Sequence, residues 1–135
     1  MTGTGQFDFE NDIPSELWDL VDEAGGDPKL LRDCLQTLPR ALFVRIFEGF
    51  VEAKVELVDR LVTSKRAGGA SEDTLDDLAD SLVFSGKKAY AEAFAGRSDL
   101  PARDGWHKLP GATSVFCEVF TARFAADIFD ELDLE

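Results

Sequence analysis

PRALFVRIFEGFVEAKVELVDRLVTSKR, residues 39–66, is the stretch whose reading decides the fold. Its apolar residues Phe43, Ile46, Phe47, Phe50, Val51, Val55, Val58, Leu61 and Val62 recur at spacings of three and four. That spacing gathers side chains on one side of an α-helix and scatters them on a strand, where the period is two. Pro39 suits the opening position, because the first turn of a helix needs no donor from it. The pattern predicts a long helix reaching about Arg66, broken by the Ala-Gly-Gly-Ala stretch at 67–70.

The same periodicity continues outward in both directions. Toward the N-terminus, Leu30, Leu31, Cys34, Leu35 and Leu38 form a shorter helical stripe. Asp27 followed by Pro28 marks its start, since the carboxylate can accept free backbone N–H groups there. Before it, Leu17, Trp18, Leu20 and Val21 repeat the pattern after Pro14, and Gly25-Gly26 ends that segment. Residues 1–11 carry no sustained period and read as a flexible arm whose Phe7 and Phe9 can dock locally.

Toward the C-terminus, Ser71 is placed to cap a helix with Leu75, Leu78, Leu82 and Val83 on its buried side. Gly86 separates it from a short segment bearing Ala89, Tyr90, Ala93 and Phe94, which Gly96 ends. Residues 97–112 hold two prolines and two glycines and read as a long loop. Thr113 or Ser114 then caps a last helix carrying Val115, Phe116, Val119, Phe120, Phe124, Ile128, Phe129 and Leu132. No segment alternates convincingly with period two, so the expectation is all-α: a single compact bundle of about five or six helices over residues 12–135.

Composition agrees with one packed domain: of 135 residues, 44% are hydrophobic and 30% charged, and 11 phenylalanines point to an aromatic interior. Charge is the unusual feature. Fourteen Lys and Arg stand against 27 Asp and Glu, a net charge of −13. That surplus opposes direct binding to nucleic acid or an anionic membrane surface, both of which repel it, and favours a basic protein partner. No run of residues is long and apolar enough to span a bilayer, and the N-terminal residues lack the regions of a signal peptide, so a soluble cytoplasmic protein is expected. Cys34 and Cys117 lie in apolar helical patterns without CxxC spacing and read as buried free thiols. His107 is the single histidine, which excludes a histidine-rich metal site, and no cofactor is expected.

Several motifs in this order carry a resemblance. They are Leu17-Trp18, Gly25-Gly26-Asp27-Pro28, Leu38-Pro39, Ser71-Glu72-Asp73, Leu82-Val83-Phe84-Ser85-Gly86 and Val115-Phe116-Cys117-Glu118-Val119-Phe120. Together they resemble the bacterial DUF4240 domain family, an uncharacterised family, over nearly the whole chain. The resemblance implies a compact helical domain and carries over no catalytic residue.

Three groups of residues are candidates for function. Asp73, Asp76, Asp77 and Asp80 follow one helical face opposite Leu75, Leu78 and Leu82, which reads either as a solvated acidic surface or as a contact for a basic partner. Their DDxxD spelling matches a magnesium-binding motif of prenyl-diphosphate enzymes, yet no second matched motif accompanies it, and Asp127, Asp130 and Glu131 are looser. Glu48, Glu52 and Glu56 repeat at four-residue spacing, and with Asp77 or Asp80 facing them they would make a magnesium-dependent nucleotide phosphohydrolase. The loop presents Arg103, Trp106 and His107 together: Trp106 can anchor a partner or fold back into the core. Glu118, beside Phe116 and Phe120, is either a buried paired carboxylate or an exposed acid. The leading expectation is a non-catalytic, acidic protein-interaction domain, immunity-like or regulatory. The alternatives are the phosphohydrolase and a small carrier of hydrophobic ligands.

Overall fold

The chain runs through six α-helices among the residues that the computed structural model describes, which are 13–25, 27–63, 72–95 and 112–132, without the side chains at 63, 72–74, 76 and 77. We label them α1 (Ser15–Ala24), α2 (Pro28–Leu35), α3 (Arg40–Thr63), α4 (Glu72–Val83), α5 (Lys87–Ala95) and α6 (Ala112–Phe124). A short 3₁₀ turn, Ile128–Glu131, follows α6. No strand occurs among the described residues, and the all-α expectation holds. The arm at 1–11, the Ser71 cap and the Gly96 stop lie outside the described residues.

Local chemistry sets the helix ends. The Asp27 carboxylate accepts the Lys29 backbone N–H at 2.9 Å, with Pro28 at the first helical position of α2. Gly25 takes a left-handed φ of +57° and gives its N–H to the Val21 carbonyl, which closes α1. Gly86, at φ +112°, turns the chain from α4 into α5, a backbone shape that side chains with a Cβ resist.

Helix α3 is the spine. Its 24 residues rise about 36 Å, and it packs against α1, α4 and α5 along its length. Its phenylalanines meet those of α6: Phe50 stacks on Phe116 at 5.0 Å between ring centres, and Phe43 meets Phe120 edge-on at 5.2 Å. Phe43, Phe47, Phe50, Phe116 and Phe120 are fully buried, as the phenylalanine count implied.

The apolar stripe of α3 is wider than the core it serves. Val55 and Val62 belong to it by spacing, yet they stand 59% and 54% exposed. Leu57, absent from that stripe, is fully buried. The reason is angular. At 100° per residue, Phe43, Ile46, Phe50, Leu57 and Leu61 share the arc that the other helices cover, while Val51, Val55, Val58 and Val62 lie together along its edge. Leu30 of α2 is likewise turned outward.

The C-terminal segment corrects the expectation of one continuous last helix. It stops at Phe124, where Ala125 takes φ +53° and returns its N–H to the Thr121 carbonyl. Asp127 then caps the 3₁₀ turn by accepting the Phe129 N–H at 2.9 Å. The reversal drops Ile128 into the core and leaves Phe129 half-exposed against Phe47. Helix α6 begins at Ala112, so neither Thr113 nor Ser114 is its cap. The two cysteines are free and half-buried rather than buried. Burial, helped by nearby carboxylates, pushes both thiols up from their ordinary range, so they stay protonated at neutral pH.

Candidate functional site

Lys54 sits at the border between the buried arc of α3 and its valine edge. Its ammonium lies 2.7 Å from Asp80 Oδ1, donates to Thr113 Oγ1 at 2.9 Å, and stands 5.2 Å from the centre of the Phe50 ring. One polar cluster thereby ties α3, α4 and α6 together. Asp80 is 1% exposed. This corrects the reading of Asp80 as part of a solvated acidic face. In α4 it lies next to the buried Val83 around the helix, and the carboxylate enters the interior because a cation is waiting there.

Neutralising Lys54 in this way leaves the space above it apolar. A groove of about 620 Å³ opens there, lined by Val51, Val55, Val58 and Val62 from α3, Leu75 from α4 and Phe129 from the 3₁₀ turn. Lys54 and Thr113 form its polar end, and Asp59 stands on its rim. Three of these apolar residues, Val55, Val62 and Phe129, are large side chains about half-exposed to water. Around α3, the valine edge is followed by a row of carboxylates, Glu48, Glu52, Glu56 and Asp59, before the buried arc resumes. A smaller cleft of about 260 Å³ lies between α1, α2 and α3, with Glu16, Asp19 and Glu23 on one side and Cys34 and Leu38 on the other.

The remaining sequence candidates divide as follows. Arg103, Trp106 and His107 lie outside the described residues. The backbones of Asp73, Asp76 and Asp77 are in α4, and their side chains are outside the description. Glu118 is exposed and pairs with Arg32 at 2.9 Å, joining α6 to α2. Asp80, which the phosphohydrolase reading sets opposite the α3 glutamates, is engaged by Lys54. Among the described residues, no three His, Cys, Asp or Glu side chains gather in a way that could hold a metal ion. No described helix is long and apolar enough to cross a membrane.

Spacing alone does not reveal the groove, because its valines fall in the same apolar stripe as the buried residues of α3. One signal was present: nine apolar positions on α3 span more of the helix circumference than a single buried face uses. Compared with known proteins, the chain matches no family model, no curated protein and no solved structure.

Proposed function

We propose that this chain is a non-catalytic interaction domain that binds a basic protein, in an immunity-like or regulatory role in the cytoplasm. The observation that carries the reading is a net charge of −13 on a domain whose surface also holds an open, aliphatic groove. Long-range attraction brings a basic partner in and orients it, while burial of apolar surface holds it. Nucleic acid and anionic membranes are repelled by the same field. The groove's volume also falls within the range of small-molecule sites, which supports a second reading, a hydrophobic-ligand carrier that uses this surface and not the packed interior.

The test is affinity capture from the native host at low and moderate salt, followed by reconstitution with the purified captured protein. A basic partner whose affinity falls about tenfold or more between ~0.05 and ~0.3 M salt supports the interaction domain. A salt-insensitive partner, or magnesium-dependent phosphate release from nucleotides by the purified chain, overturns it.

A further inference from the structure

We infer that the cleft between α1, α2 and α3 receives an arginine side chain of a basic partner, its guanidinium across the Asp19 and Glu23 carboxylates and its methylene stem against Leu38 and Leu42. The inference rests on the interaction reading above and gives that reading a point of contact.

The cleft is lined in two unlike ways. Glu16, Asp19 and Glu23 stand at i, i+3 and i+7 on one face of α1, while Leu38 and Leu42, both half-buried, line it from the start of α3 and the residues before it. At about 260 Å³ it falls below the ~300 Å³ at which small-molecule sites begin, and it suits one long side chain. Arginine matches both linings, since its stem covers apolar surface while its charged head stays at the rim. The acidic lining is not balanced from within. Arg45 approaches Glu16 only to 3.6 Å, Glu16 Oε1 accepts no hydrogen bond, and among the described residues neither Asp19 nor Glu23 pairs with a cation. Asp80 and Glu118, by contrast, are answered by Lys54 and Arg32. Asp19 and Glu23 lie one helical turn apart, with ~5–6 Å between their Cβ atoms, a gap that a planar guanidinium with five N–H donors bridges and a compact, strongly hydrated ammonium does not. Thr37 adds an acceptor: its hydroxyl donates to the Cys34 carbonyl at 3.0 Å, which leaves its lone pairs for an incoming N–H. Cys34, also in the cleft, registers the same field, because burial first and then Glu23 and Asp33 push its thiol up.

The probes are N-acetyl-arginine methylamide, its lysine counterpart and its citrulline counterpart, which keeps the shape of arginine without the charge. Each is titrated into the full ¹⁵N-labelled chain. The arginine compound is expected to shift the amides of Asp19, Glu23, Cys34 and Leu38, with the citrulline compound about tenfold weaker or more and the lysine compound weaker as well. Asp19→Asn/Glu23→Gln substitutes two exposed positions and should cut the affinity for the arginine compound about tenfold or more. Asp59→Asn/Asp130→Asn removes the same charge from exposed positions outside the cleft, and it should leave that affinity within about twofold. Equal binding of the three compounds, strongest shifts outside the cleft, or equal losses in the two double variants overturns the proposal. A captured basic protein whose affinity is unchanged by Asp19→Asn/Glu23→Gln removes the cleft and leaves the interaction reading standing. If neither a basic protein nor the arginine compound binds, both fall.

Discussion

Two small residues show how local backbone chemistry and packing oppose each other. Gly49 lies in the middle of α3, where glycine costs about 1 kcal/mol against alanine. A Cβ there would stand 2.5 Å from Cδ of Pro14, so glycine is what lets the Ile13-Pro14 segment lie on the spine. Gly49→Ala is therefore expected to lose about 1–2 kcal/mol despite its better helix propensity, read as a lower urea midpoint. Ala125 is the opposite case. Its left-handed φ of +53° costs an L-residue about 1 kcal/mol and glycine almost nothing, so Ala125→Gly should raise the midpoint by a similar amount. A gain from Gly49→Ala, or none from Ala125→Gly, would contradict these assignments.

Between elements, the stability of the bundle depends on two polar contacts that the apolar pattern did not announce. The Lys54–Asp80 pair is buried, and removing one partner strands the other charge. Asp80→Asn should cost about 3 kcal/mol, whereas Lys54→Met with Asp80→Leu together should recover most of that, giving a large coupling in a double-mutant cycle. Additive losses would mean that the pair is not the joint between α3 and α4. Tyr90 of α5 donates its hydroxyl to the Ala53 carbonyl of α3 at 2.9 Å, and burial, aided by Glu56 and Glu52, pushes its phenol well above the ordinary range. An unfolded tyrosine ionises near pH ~10, so the native contribution is complete below that pH and drains away as pH rises above it. Tyr90→Phe should thus be less stable by about 1 kcal/mol at pH 7, with the gap closing by up to ~1.4 kcal/mol per pH unit above pH ~10. Urea titrations from neutral to alkaline pH check this, and a constant gap would count against it. Helix α2 has its own brace: Arg123 donates to the Leu35 and Leu38 carbonyls, both at 2.7 Å, at the end of the helix where carbonyls lack partners.

For the whole molecule the net charge of −13 sets the behaviour. Like charges crowded on a small domain repel, and compaction makes the repulsion worse, so screening favours the folded state. The melting temperature is expected to rise by several degrees, on the order of 4–8 °C per kcal/mol gained, when sodium chloride goes from ~0.02 to ~0.3 M. A fall would mean that the exposed ion pairs, such as Arg32–Glu118 and Arg40–Glu131, outweigh the repulsion.

The sequence by itself determined the helices, because their causes are local: Pro39 and Asp27-Pro28 at the starts, Gly25 and Gly86 at the ends, and spacing of three and four between them. It also determined the aromatic core, since buried phenylalanines at that spacing have one economical place to go. It could not determine which part of a wide apolar stripe would be covered. Whether Val55 and Val62 face a neighbour or water depends on where α4, α6 and the 3₁₀ turn come to rest, and the last two lie far along the chain from α3. The same holds for Asp80, an acid among acids in the sequence, which is drawn inside by a lysine 26 positions earlier that only the packing of α3 on α4 brings to 2.7 Å.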